Sequence, residues 1–266
     1  MQTNIEGYHS ITEQSTPLRV KMHSHEVYEI YCFLEGDAQY CVEGRWYALH
    51  PGDVLLLTKG EVHRVDLLSE AKYCRIGVHF DLTDVPTPLD MQRLLSPFHD
   101  RPLGKFNHYP ARLFQNERWI HYLEQIAHAD DESTAVCFLL PLLSELADAF
   151  PILQNADLFA KKDTAAPIMK YINHHLTDAL TLQNLAQRFY LSQTHLNRLF
   201  RQSTGTTVWE YITIKRLFLA KKLLEQGYAP TTVCEPCGFQ EYSTFYRAYK
   251  RHFGVSPSTH AVKRKS

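Results

Sequence analysis

The sequence predicts an α+β chain in two parts: an N-terminal antiparallel β-barrel with trailing helices, then an all-α domain built on two helix-turn-helix units. Three observations carry this expectation. Pro167 to Ser266 hold 14 Lys and Arg against 5 Asp and Glu, whereas the first 166 residues hold 14 against 24. Short apolar runs punctuated by Gly and Pro fill the stretch from Val20 to Phe80. In the basic part, one helical pattern recurs after about 48 residues.

In the first part, turn residues bound each strand. Tyr28 to Leu34 reads as one strand, with Glu35-Gly36-Asp37 as the turn after it. Ala38 to Val42 and Arg45 to Leu49 flank Glu43-Gly44, a hairpin signal. Pro51-Gly52-Asp53 leads into Val54 to Leu57, and Lys72 to Phe80 is a further strand. This spacing predicts a barrel or jelly roll.

Asp84 to Pro110 is proline-rich and reads as irregular. Trp119, Tyr122, Leu123 and Ile126 then share one helical stripe. Val136, Leu139, Leu140, Leu143, Leu146 and Ala147 share another, with Pro141 expected to kink it. Helices behind so small a barrel should pack on it, on a second subunit, or on both. Gln154 to Ala166 loses its periodicity and reads as a linker. The expected organisation is a barrel over 1–85, an irregular segment and dimerisation helices over 86–153, a linker over 154–166, and the helical domain over 167–266.

The basic part opens with Ile168, Tyr171, Ile172 and Leu176 on one face. Thr181 caps a short helix containing Leu182, Leu185 and Ala186. Ser192 caps the next, which carries Leu196, Leu199 and Phe200 inward and ends at Gly205. A longer helix with Trp209, Tyr211, Ile212, Leu217, Ala220, Leu223 and Leu224 as its apolar positions stops at Gly227. The first unit then recurs. Val233-Cys234 stands for Leu185-Ala186, while Phe245, Tyr249-Lys250 and Gly254 stand for Leu196, Phe200-Arg201 and Gly205.

In such a motif the second helix enters the major groove and its outward residues read base edges. On the first of these helices the outward positions are Gln193, Thr194, Asn197, Arg198 and Arg201. On the second they are Glu241, Tyr242, Ser243, Tyr246, Arg247 and Lys250. Any one of them could be a solvated surface residue. The full set, repeated on a basic domain, points to double-stranded DNA.

Composition excludes other classes. The N-terminus lacks a basic stretch followed by an apolar core, and no apolar run is expected to reach bilayer-spanning length, so a cytoplasmic protein without a membrane partner is expected. The six cysteines are expected to be reduced and buried. Cys234-Glu235-Pro236-Cys237 has redox spacing but no strand-helix-strand context and no second pair, so two core thiols are expected there.

Several of these residues together resemble the AraC/XylS-type bacterial transcription regulators. They are Leu182-x-x-Leu185-Ala186, Leu191-Ser192, Leu196-x-x-Leu199-Phe200-Arg201, Gly205, Tyr211-Ile212, Arg216-Leu217, Ala220-x-x-Leu223-Leu224, Gly238-Phe239, Phe245-x-x-x-Tyr249-Lys250, Gly254 and Ser256-Pro257. The resemblance covers Pro167 to Val262. It implies base-facing roles for Thr194, Asn197 and Arg198 in one unit and for Tyr242, Ser243, Tyr246 and Arg247 in the other. It also implies a homodimer, with RNA polymerase as a further partner compatible with that role. Pro230-Thr231-Thr232-Val233-Cys234 and His260-Ala261 depart from the family pattern, so the second unit should be less regular.

In the barrel, His23-x-His25, Glu29 and His63 stand out. Two histidines two apart on a strand point to one face, and three imidazoles with a carboxylate suit a divalent transition metal. The spacings His23-x-His25-x₃-Glu29-x₆-Gly36 and Gly52-x₅-Thr58-x-Gly60-x₂-His63 resemble the two cupin motifs, with Thr58 where cupins usually have Pro. Cupin sensor domains commonly precede the AraC-type reader. The same residues could instead hydrogen-bond a sugar or a small acid, or one another. Tyr31 and Phe33 share the parity of Glu29, and Arg75, Gly77 and His79 share one face of the last strand. His23, His25, Glu29, Tyr31, His63 and His79 are therefore the candidate effector contacts. The resemblance implies a ligand-responsive transcription regulator, with sugars among the effectors its relatives sense. The alternative is a metal-dependent cupin enzyme fused to a DNA-binding domain.

Overall fold

Tyr28–Glu35 (β3) is buried along nearly its whole length because both of its faces are covered. In the computed structural model, which describes residues 3–13, 17–20, 22–82, 90–155 and 165–261, β3 lies in a five-stranded antiparallel sheet. The other strands are Thr3–Thr12 (β1), Tyr73–Leu82 (β8), Val54–Leu57 (β6) and His108–Tyr109 (β9), in the order β1-β8-β3-β6-β9. A second sheet has the order β2-β7-β4-β5: Leu18–Arg19, His63–Leu67, Ala38–Val42 and Arg45–Ala48.

Strand parity divides the core into two. Tyr31, Phe33, Leu55 and Leu57 face the four-stranded sheet and pack with Tyr40, Val42, Tyr47 and Val65. Ile30, Cys32, Val54, Leu56, Ile76, Val78 and Phe80 face the other way, into helices Met91–His99 (α1), Arg118–Ala127 (α2) and Glu132–Asn155 (α3). Gly7 lets α2 approach β1, since a Cβ there would lie 2.7 Å from the Ile126 carbonyl oxygen. All of this belongs to one compact unit, Met1–Asp163, in which the barrel and its trailing helices share a core.

Several expectations are corrected. The stretch expected to be irregular contains α1 and β9 as well as residues 84–89, which lie outside the described set. Asp90 caps α1, accepting from the Arg93 N–H, and Leu94 and Phe98 dock it on the sheet despite Pro97. α3 runs through Pro141 and Pro151 and is long and apolar enough, by length and composition, to cross a membrane. That contradicts the expectation that no run reaches this length. The helix is apolar because Leu139, Leu142, Leu143, Leu146, Phe150 and Leu153 pack into the shared core. The linker expected over 154–166 lies mostly outside the described residues, and its two ends belong to α3 and to the first helix of the second unit. Cys137 is exposed on α3, while the other five thiols are buried.

A buried ion pair ties the segment after α1 to the barrel. Arg101 donates from Nη1 and Nη2 to the two carboxylate oxygens of Glu61, both at 2.8 Å. Asn107 Nδ2 and the Gly104 N–H also donate to Glu61. Arg101 further donates to the carbonyls of Pro97 and Leu56. Burial pushes the Glu61 carboxyl up, but the Arg101 charge and these donors outweigh it and leave the group below its ordinary value.

The second unit, Thr164–Ser266, is helical. Its helices are Ala166–His174 (α4), Leu182–Arg188 (α5), Gln193–Thr204 (α6), Val208–Glu225 (α7), Pro230–Val233 (α8), Tyr242–Phe253 (α9) and Pro257–His260 (α10). Thr181 caps α5 and Ser192 caps α6 through their hydroxyls. Thr207 and Glu210 form a reciprocal capping box on α7. Trp209, expected in the apolar face of α7, is instead 57% exposed. It sits in the first turn, where the buried side faces Val208, Tyr211 and Ile212. α8 is a single turn that starts on Pro230, and turns follow it through Pro236 to Gly238.

Arg216 of α7 holds this unit together. It donates to the carbonyls of Leu176 and Asp178, which follow α4, and of Gly238, which precedes α9. Gly238 has φ +82°, and a Cβ there would sit 2.5 Å from the guanidinium carbon. Cys234 and Cys237 are buried, and burial raises both thiols, Cys237 to about 11. Thiols held protonated in this way suit core packing rather than redox chemistry.

Candidate functional site

Five side chains converge inside the first unit. Glu29 on β3 is directly opposite His79 on β8. His63 opens β7. His23 and His25 lie between β2 and β3, outside any strand, because the chain is crossing from one sheet to the other there. Their shared face comes from pinning rather than from the strand alternation expected. His23 and His63 exchange backbone hydrogen bonds of 3.0 and 2.8 Å, and the Gly60 N–H donates to the His25 carbonyl.

The Glu29 carboxylate is ringed by His63 Nε2 at 3.2 Å, His25 Nε2 at 3.3 Å and His79 Nε2 at 3.7 Å. The His23 ring stands 4.5 Å from that of His63 and 5.0 Å from that of His25. Burial would push Glu29 up; its close contacts with His25, His63 and His79 outweigh burial and hold it well below the usual carboxylate range. Burial pulls His63 down, but Glu29 more than offsets it and raises the imidazole. His63 Nδ1 contacts the Glu61 carbonyl at 2.8 Å. A carbonyl only accepts, so Nδ1 carries the hydrogen and Nε2 faces Glu29.

These contacts are close but poorly aligned. Glu29 Oε2, His63 Nε2 and His79 Nε2 are buried without a formed hydrogen bond, a state that calls for an ion or a polar ligand group among them. Donor atoms of His23, His25 and His63 lie within 4.8 Å of one another, as do those of His25, Glu29 and His79. The set fits a divalent transition metal, which His23, His25, Glu29 and His63 would hold with His79 beside them. Tyr31 occupies the next inward position on β3. Its hydroxyl lies 2.7 Å from that of Tyr73, and its ring 4.8 Å from that of Tyr40, which stacks on His63. Sequence reasoning missed Tyr8, Tyr40 and Tyr73 as neighbours of this site.

The second unit presents two matching helix faces. On α6, Gln193, Thr194, Arg198 and Arg201 are exposed and Asn197 is half-buried, while Leu196 and Phe200 are buried. On α9, Tyr242, Ser243, Arg247 and Lys250 are exposed and Tyr246 is half-buried, while Phe245, Ala248 and Tyr249 are buried. Gly205 and Gly254 end these helices in left-handed geometry, φ 75° and 73°. Both helices dock on α7, through Phe200 against Tyr211 and Phe253 against Phe218. The departure at His260 is accommodated by its Nδ1, 2.7 Å from the Tyr249 hydroxyl. Arg247 donates from Nε to the Ser243 carbonyl of its own helix at 3.3 Å.

Comparison with known proteins agrees with both halves. A family model described as an AraC-like ligand binding domain matches residues 7–126, and a helix-turn-helix domain model matches residues 185–261. The chain is 26% identical to the HTH-type transcriptional activator RhaS of Escherichia fergusonii, over 88% of this chain and 85% of that one. It is 28% identical to the arabinose operon regulatory protein of Salmonella typhimurium, over 81% of this chain and 76% of that one. The crystal structure of ToxT from Vibrio cholerae O395 aligns over 98% of this chain and 96% of that one, at 15% identity and a TM-score of 0.40. The ligand-binding match falls on the unit that holds the histidine cluster, and the helix-turn-helix match on the unit that holds α6 and α9. The chain belongs to the AraC-type transcription regulators: it is a ligand-responsive DNA-binding regulator with an N-terminal sensor domain.

Proposed function

We propose that the cluster of His23, His25, Glu29, Tyr31, His63 and His79 is where a small-molecule effector is sensed, and that α6 and α9 read operator sequence. The observation that carries the sensor reading is the Glu29 carboxylate, buried among three imidazole nitrogens at 3.2–3.7 Å. The exposed faces of α6 and α9 support direct reading by Gln193, Thr194, Asn197, Arg198 and Arg201 in one groove, and by Tyr242, Ser243, Tyr246, Arg247 and Lys250 in the next. The protein acts as a cytoplasmic homodimer and is not an enzyme; RNA polymerase is a partner of the same role. For the effector to regulate, it must prefer one arrangement of the readers over the other.

The test is operator affinity with and without a compound that raises the melting temperature in a screen of sugars and organic acids. The proposal expects His63→Ala to remove the change in affinity that the compound causes in the wild type. A His63→Ala protein that still responds in full places the sensor elsewhere.

The metal-compatible donor set favours a second reading, in which the barrel is a metal-dependent enzyme. Assay of the purified protein for iron, manganese, nickel and zinc separates the two, since metal-free protein sinks the enzyme reading. As a regulator whose cluster residues all come from the first unit and whose reading helices come from the second, the protein should keep its DNA affinity after chelation. Loss of DNA binding on chelation would contradict that.

A further inference from the structure

Arg75 lies on the inward face of β8, four residues from His79, with Gly77 between them. Its guanidinium sits over three tyrosine rings, 5.6 Å from Tyr8, 5.7 Å from Tyr73 and 5.9 Å from Tyr31. Among the described residues its one hydrogen bond is long, from Nη1 to the Tyr73 hydroxyl at 3.5 Å. Its Nε is buried with no partner, and among the described residues no carboxylate pairs with it. Arg75 as a whole is half-buried, but its Nε is shut off from water, and a charged donor left there without an acceptor is costly unless something brings one. The planar guanidinium fork matches a carboxylate better than any neutral group.

The same row of side chains continues to the histidine cluster. The Tyr8 ring touches both ends, lying over Arg75 and 5.7 Å from the His79 ring. It can lie there because Gly77 has no side chain; a Cβ would meet the Tyr8 ring atoms at 2.2–2.7 Å. Tyr31 links Arg75 to Tyr40, and Tyr40 stacks on His63. The strip thus has a cationic end at Arg75, phenol hydroxyls along it, and imidazoles with an anionic Glu29 at the other end. A strand rises about 3.3 Å per residue, so Arg75 and His79 are roughly 13 Å apart along β8. Glu29 would repel an anion at its own end.

We propose that the effector is a polyhydroxylated carboxylate of the sugar-acid class, with its carboxylate paired to Arg75 and its hydroxyls directed along the tyrosines toward the Glu29–histidine end. This rests on the barrel being the sensor site, and it names the charge and polarity of what that site takes.

The test uses the full chain with matched probes: D-galacturonate against D-galactose, and D-glucuronate against D-glucose. Affinity is measured by calorimetry and thermal shift for the wild type and for Arg75→Gln, Arg75→Lys and Glu29→Gln. At least one acid should bind and raise the melting temperature, with its neutral counterpart at least tenfold weaker. Arg75→Gln should weaken that acid on the order of 100-fold and Arg75→Lys less, each variant melting near the wild type without probe. Equal binding of acid and neutral sugar, no loss in Arg75→Gln, or no binding of either acid overturns the proposal. A neutral sugar whose binding Glu29→Gln abolishes would keep the barrel as the sensor while refuting the carboxylate. An acid whose binding neither Arg75→Gln nor Glu29→Gln changes would refute both.

Discussion

Arg101→Met should destabilise the sensor unit by about 3–5 kcal/mol, because it leaves the Glu61 carboxylate buried with its counter-charge removed. Both side chains are fully buried, and the pair is bidentate at 2.8 Å. The same glutamate receives the Asn107 and Gly104 donors, and its carbonyl faces His63 Nδ1. The loss should therefore reach the histidine cluster as well as the fold. Urea unfolding followed by the fluorescence of Trp46 and Trp119 would measure it. The double variant Glu61→Leu/Arg101→Met should recover much of the loss, since it removes the stranded charge. The sign of the acid dependence follows from the lowered Glu61 carboxyl. Its contribution is complete above the ordinary carboxylate range and is lost as pH falls through the lowered value. A loss below about 1 kcal/mol would show that the pair is not what holds the 97–107 segment.

Arg216→Ala should cost the reader unit on the order of 3 kcal/mol, because three carbonyls lose a charged donor together. Those carbonyls belong to Leu176, Asp178 and Gly238, so one side chain on α7 fixes the segments that precede α5 and α9. DNA affinity should fall for every sequence alike, because α6 and α9 lose their mutual placement rather than a base contact. Thermal unfolding and binding to random-sequence DNA would both record this. Gly238→Ala should act in the same direction, since its positive φ and the adjacent guanidinium leave no room for a Cβ. Unchanged stability in Arg216→Ala would mean that the apolar packing around Leu217, Ala220 and Leu224 suffices alone.

The reader was legible because its elements carry local signals. Thr181, Ser192 and Gly205 mark helix ends by their own chemistry, and the capped helices follow. β3 and β6 were legible as apolar runs because both their faces are covered. β1 was not: its inward face carries Glu6, Tyr8 and Ser10, and its outward face includes Gly7, so no alternation appears. β7 was hidden in the same way, since Arg64 and Asp66 are buried on it and break the apolar pattern. His79 had the right parity, but only the register Glu29 to His79 brings it to the carboxylate. The Glu61–Arg101 pair joins residues forty apart and left no mark in the sequence.

The central claim is that two helix faces of this chain read DNA separately. Selection of bound sites from random-sequence DNA, carried out on the wild type and on Arg198→Ala and Arg247→Ala, tests it most directly. The account predicts two short preferred blocks about one helical turn apart, 10–10.5 base pairs centre to centre. Arg198→Ala should relax one block and Arg247→Ala the other, each by about 1–3 kcal/mol of discrimination. Arg198 should have the larger effect, because Arg247 is partly engaged by the Ser243 carbonyl. A single block, or an equal loss on all sequences in both variants, would contradict it.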